Sequence, residues 1–370
     1  MMLFLCIQML MAKPVESPIR LAAQLAKDGE VVRAESVLGD IDIENQTSDV
    51  VLLHVTLGLI ALKKDLPRDA LNSFVQANEL FSEKTKGIEK ESILVYIARC
   101  HLMLEEPTQA LTVLNECTKD TKTVRLMHMD AYRQLESWDL GWEYATRTVE
   151  KWDDDIRLRQ ELIFFSSKLG LVLPLQEELQ FCLVSPALQE MDALRIASWL
   201  REDGHSDVAL SFLGVVKHRF FSEDVWRSLS IIALEQGEWS HAASALSVLS
   251  MYQPSYALEA SQAFIQSGDW EQALRYNSFA PASKEKYQQR LSILLQHKEY
   301  ELAVVVQDQL GRWGTIVDDT VRYGLGYAYF QIGLYQEAKD SITGISEPKI
   351  FQQSIALQKV IQKCMVDRCY

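Results

Sequence analysis

The chain has 370 residues, of which 48% are hydrophobic, and a formal charge of -14. That apolar content supplies a continuous core and excludes general disorder, while the length fits either two or three ordinary domains or one long array. The acidic excess excludes generic binding to DNA, RNA or anionic lipid, because counterion release needs a basic surface.

In chain order, the first element is an apolar run from Met2 to Met11. It resembles the core of a signal peptide, but no Lys or Arg precedes it and the first cation is Lys13. It is too short to cross a bilayer as a helix, so no stable membrane insertion is expected. Residues 1–18 therefore read as a targeting or capping segment. A cytoplasmic location follows if the run is a cap, and a periplasmic or exported one if it is a signal.

From residue 19 to residue 345 the pattern is helical hairpins. Apolar residues recur at i, i+3, i+4 and i+7 in paired segments separated by short polar turns. One small position marks the second segment of each pair: Ala34, Ala70, Ala110, Gly141, Leu175, Ala209, Ala242, Ala273, Ala303 and Ala338, at intervals of 30 to 40 residues. Strand alternation is sustained nowhere, and "LAVVVQ" at 302–307 stays in helical register. Gly29, Gly170, Gly204, Gly237, Gly268 and Gly333 fall where a left-handed residue closes the first helix cheaply. Small residues within first helices, Gly58, Ala98, Ala197, Ser230, Ser261 and Gly326, let the two helices approach. Trp138, Trp239, Trp270, Tyr300 and Tyr335 open the second helices and are expected to wedge between hairpins. If buried, Trp239 would cost about 3–5 kcal/mol on truncation to Ala. Gly141 and Leu175 depart from the alanine rule, predicting less regular packing over residues 135–180, and the longest interval, before Ala110, predicts a lengthened helix or loop near Glu83 to Glu91. Residues 346–370 read as a C-terminal capping helix after Pro348, with a polar outer face.

These repeats resemble the tetratricopeptide repeat family. One unit carries Trp226, Leu229, Ser230, Ala233, Ala242, Leu246 and Pro254; a second Leu325, Gly326, Tyr329, Gly333, Tyr335, Ala338 and Ile342; a third Leu57, Gly58, Ala61, Ala70 and Phe74. About ten degenerate repeats hold this phase. The resemblance implies an all-α fold, a right-handed superhelical α-solenoid of stacked antiparallel hairpins. It also implies a concave groove, lined by first helices, that takes an extended peptide or a helix of a partner protein.

Catalytic and cofactor signatures are absent from the sequence, so no enzyme activity, cofactor or metal is expected. Gly324-Leu325-Gly326 lacks the third glycine and the strand of a dinucleotide fingerprint, and Asp153 to Asp155 suit an acidic first helical turn better than a metal cluster. The six cysteines show no CxxC pair and read as small buried hydrophobes; Cys364 and Cys369 are the pair near enough in sequence for a local disulfide. The seven histidines form no ligand-spaced pair.

Under the repeat register, Arg99, Arg133, Arg157, Lys168, Arg201 and Arg227 face the groove as a basic stripe, interspersed with Asp130 and Asp224. Guanidinium groups bind carboxylates bidentately, so the stripe suits an acidic segment of a protein or peptide partner. Leu52, Val55, Leu59 and Leu62 make the groove apolar in the second unit, and Tyr323, Tyr327 and Phe330 make it aromatic in the last. The function expected is a non-enzymatic scaffold or adaptor within a larger assembly. The alternative is a secretion or envelope-assembly factor with chaperone-like client binding.

Overall fold

The computed structural model describes residues 17–39, 49–82, 85 and 87–367. The apolar run at the N-terminus and Cys369 lie outside them. Among the described residues there are helices and turns and no strands.

Hairpins follow one another in order: α1 (Pro18–Lys27) with α2 (Val31–Gly39), α3 (Val50–Lys63) with α4 (Pro67–Glu79), α5 (Lys90–Met103) with α6 (Pro107–Asn115) and α7 (Lys122–Gln134) with α8 (Trp138–Lys151). Next come α9 (Ile156–Lys168) with α10 (Val172–Val184), α11 (Glu190–Glu202) with α12 (Ser206–Arg219), α13 (Glu223–Glu235) with α14 (Trp239–Tyr252) and α15 (Tyr256–Ser267) with α16 (Trp270–Phe279). Then α17 (Lys284–Gln296) pairs with α18 (Tyr300–Val305), which breaks at Val306 and resumes as α19 (Gln307–Arg312); α20 (Asp319–Gln331) pairs with α21 (Tyr335–Ile342), and α22 (Pro348–Asp367) follows. The break falls at the end of three consecutive valines, whose branched Cβ atoms make them weak helix formers. This is the α-solenoid arrangement of antiparallel hairpins. The long interval before Ala110 is taken up by the connection between α4 and α5 rather than by a longer helix.

One turn chemistry builds every hairpin. A left-handed residue ends the first helix at Gly29, Asp65, Glu105, Glu136, Gly170, Gly204, Gly237, Gly268, Lys298 and Gly333, with φ between 52 and 86°. The next residue donates its N–H back across the turn to the carbonyl five positions earlier, as Glu238 does to Ala233 at 2.9 Å and Leu334 to Tyr329 at 2.9 Å. That same residue's carbonyl then receives the marker's N–H, as in Ala242 to Glu238 at 3.0 Å and Ala338 to Leu334 at 3.0 Å. Each marker is thus the fourth residue of its second helix, where the first intrahelical hydrogen bond forms. Only six of these turns carry the glycine that sequence reading looks for.

The four others store strain, because a side chain in the left-handed region costs about 1–2 kcal/mol. Glu136→Gly and Lys298→Gly are each expected to stabilise by about 0.5–1 kcal/mol, the relief being partly cancelled by glycine's greater freedom when unfolded. Gly237→Ala, at φ 71°, is expected to move the urea midpoint the opposite way.

Close approach is equally specific. A Cβ on Gly58 would lie 2.6 Å from the Phe74 ring, and one on Gly326 would crowd Ile342 and stand 3.2 Å from the Ala338 carbonyl oxygen. Ser261 donates to the carbonyl of the marker Ala273 at 2.8 Å, joining the two helices. Gly141, expected to loosen packing, is filled from the next hairpin: the Phe165 ring occupies the space its Cβ would take. The aromatic wedges are only half-buried. Trp239 remains 38% exposed, so its truncation costs less than a buried tryptophan's.

The chain divides within α10 into two compact units, residues 1–178 and 179–370. In the first, Ile19, Leu38, Leu53 and Ile60 form one core cluster and Leu71, Phe74, Ile93 and Ile97 another. In the second, Leu291, Leu310 and Leu325 center one cluster, while Ile342, Ile350, Leu357 and Ile361 join α22 to the last hairpin.

Candidate partner-binding cleft

α3 has the sequence VVLLHVTLGLIALK and is apolar on nearly every side. A helix of that kind is ordinarily enclosed. Here Val51, Leu53, Ile60 and Ala61 are buried among neighbouring helices, while Leu52, Leu59 and Leu62 are only half-covered. With Val55 and Thr56 they form the floor of a cleft of about 980 Å³, walled by α1 through Arg20, Gln24 and Lys27 and by α5 and the loop before it through Ile88, Tyr96 and Arg99. Tyr96 is held by stacking on Phe74, ring centres 4.9 Å apart.

The rim is cationic. Arg20 lies 3.6 Å from Asp49, and Glu89 is held by Lys119 at 2.6 Å. Lys27, Lys63 and Arg99 are exposed, and no ion pair to any of them is found among the described residues. Two smaller clefts continue along first helices of the same unit. One of about 230 Å³ shares Glu89, Ser92 and Tyr96 with the first and reaches Thr123 on α7. Another, of about 350 Å³, includes Thr123 with Asp130 and Arg133 of α7 and Arg157 and Glu161 of α9.

The other groove residues expected from sequence are engaged within the chain. Arg133 pairs with Glu161 and covers the Phe164 ring at 4.1 Å. Burial pushes the neighbouring Asp130 carboxyl up, and Arg133 opposes that shift. The Arg157 Nε lies 3.8 Å from Asp155, and the Lys168 ammonium sits 5.5 Å from the centre of the Trp138 ring. In the second unit, Arg201 reaches Glu235 at 3.9 Å, and Arg227 bonds Glu223 and Asp224, the latter at 3.0 Å. Tyr323 and Tyr327 pack on the cluster that α22 completes, and Tyr327 meets Tyr300 edge-on at 5.8 Å. The register places these side chains on their helices, yet a counter-charge 28 residues away, as Glu161 is from Arg133, has no local sequence signal. Lys27, Lys63, Ile88 and Tyr96 come together only through the packing of α1, α3 and α5; the one local signal is Lys63 directly after the leucine series of α3.

Two buried titratable groups are accounted for by packing. Buried His128 contacts the Val124 carbonyl oxygen at 2.9 Å and stacks on Tyr144, whose hydroxyl burial pushes up to about 12. Burial also raises the Cys100 thiol to about 11, which keeps it protonated and unreactive. No three His, Cys, Asp or Glu side chains among the described residues converge to hold a metal ion, and no helix among them is long and apolar enough to cross a membrane.

No family model matches the sequence, and no curated protein matches it. Among solved structures, the chain is similar to a tetratricopeptide repeat protein from Parabacteroides merdae, with 10% identity and a TM-score of 0.34 over 76% of this chain and 99% of that one. It is also similar to the APC/C hetero-tetramer Cut9-Hcn1, with 13% identity and a TM-score of 0.32 over 94% of this chain and 77% of that one. At TM-scores this low the description of the fold rests on the hairpins themselves.

Proposed function

We propose that the protein is an interaction scaffold that holds a partner polypeptide in the first-helix groove of its N-terminal unit, with the cleft between α1, α3 and α5 as the principal seat. The observation that carries this reading is the half-open leucine face of α3 beside Lys27, Lys63 and Arg99, three cations without an ion pair among the described residues. Apolar surface left open on a helix otherwise buried gains from being covered, and uncompensated cations select carboxylates without first breaking internal pairs. The partner segment is therefore apolar on one side and acidic beside it. Arg133 and Arg157 extend the site along α7 and α9, but each must exchange an internal carboxylate for the partner's, which leaves a smaller net gain. Lys168, which lies over the Trp138 ring, is a secondary contact in this reading, and Arg201, Arg227, Tyr323 and Tyr327 belong to the C-terminal unit and lie outside this cleft.

Affinity purification from the native cell supplies the partner, and two paired variants then test the site. Lys63→Glu with Arg99→Glu is expected to weaken binding at least tenfold, about 1.4 kcal/mol. Arg157→Ala with Arg201→Ala is expected to change it less than threefold. The reverse ranking would replace the cleft by the arginine stripe, and insensitivity to both pairs would remove the groove as the site.

A further inference from the structure

We propose that the outward face of α22 is a second docking surface, in the C-terminal unit, for an acidic amphipathic helix of a partner protein. A surface helix ordinarily turns charged and polar residues outward. α22 departs from that rule. Its inner side, Ile350, Ser354, Leu357, Ile361 and Cys364, is buried. On the 3.6-residue period, Phe351, Ile355 and Val366 share an outward strip with Gln358 and Gln362, and they remain 47%, 36% and 78% exposed. Beside that strip the same period sets Lys349, Lys359 and Lys363 in a second row.

The charge of this face decides what fits it. No acidic residue occurs between Lys349 and Val366, and no ion pair to the three lysines is found among the described residues, although the chain as a whole carries -14. Pairing of α22 with its own copy would run two lysine rows along one seam, and like charges facing each other disfavour that arrangement. An anionic membrane is an extended plane that meets the acidic excess of the whole molecule as well as the three lysines, whereas a single helix lies within screening distance of the lysines alone. A helix with apolar residues at i, i+4 and i+15, the spacing of Phe351, Ile355 and Val366, flanked by Asp or Glu, satisfies both rows together. It would continue the helix-on-helix packing that α22 begins. This surface belongs to the C-terminal unit and does not depend on the groove reading.

The test places a photocrosslinking p-benzoylphenylalanine at Phe351 in the full chain, expressed in the native cell, with the same group at exposed Val32 on α2 as the control. The expected crosslinked peptide comes from a different protein and carries helical apolar periodicity with flanking carboxylates. Lys359→Glu with Lys363→Glu, both solvent-exposed, is expected to lower the crosslink yield at least tenfold while leaving the melting temperature unchanged. Crosslinking to a second copy, to lipid, or at no more than the Val32 yield would overturn the proposal. So would a yield indifferent to the charge reversal.

Discussion

Truncation of Phe165 to alanine is expected to lower stability by about 3–5 kcal/mol, the range for a large aromatic lost from a closed core. Phe165 is fully buried, lies edge-on to Phe164 with ring centres 5.4 Å apart, and occupies the space left by the missing side chain of Gly141. The converse change, Gly141→Leu, forces a side chain into that ring and is expected to cost about 1–3 kcal/mol by overpacking. Because both residues compete for one volume, the double variant should lose less than the sum of the single losses. Repeat arrays need not unfold in two states, so the measurement should pair urea midpoints with amide hydrogen exchange across α8 and α9. Additive losses would show that Gly141 and Phe165 do not share a cavity.

The second large effect concerns an ion pair. Arg159 on α9 donates to both carboxylate oxygens of Glu178 on α10 at 2.9 Å, and its Nε donates to the Asp153 carbonyl oxygen at 2.9 Å. Both side chains are mostly enclosed, at 17% and 10% exposure. Arg159→Ala is expected to cost about 3–5 kcal/mol, chiefly because the Glu178 charge is left buried without its counter-charge. Replacing both, as Arg159→Met with Glu178→Leu, removes the unpaired charge and should recover most of the loss. Thermal or urea unfolding of the two single variants and the double variant checks this. A double variant as unstable as Arg159→Ala would mean that the tie to Asp153, rather than the ion pair, carries the effect.

Much of the fold was legible because its causes are local. The small marker, the left-handed turn and the apolar period recur within about 34 residues, and each acts through neighbours inside one hairpin. The marker positions at Ala242 and Ala273 are the fully buried first hydrogen-bonding residues of their helices, in keeping with the spacing. The site was less legible. Arg99 could be placed on the outer side of α5 from sequence, as could Arg133 on α7, but their difference is tertiary: Arg133 has Glu161 on the adjoining first helix, and no ion pair to Arg99 is found among the described residues.

The hairpin unit, its phase and the absence of familiar catalytic motifs can be read from local residue order, because backbone geometry and one-sided hydrophobicity repeat on the scale of a single turn. Packing between helices sets which cations are neutralised, that Phe165 completes Gly141, that non-glycine residues close four of the turns, and that α22 leaves an apolar strip beside its lysines. Those outcomes depend on side chains brought together across helices, where distance in space bears no fixed relation to distance along the chain.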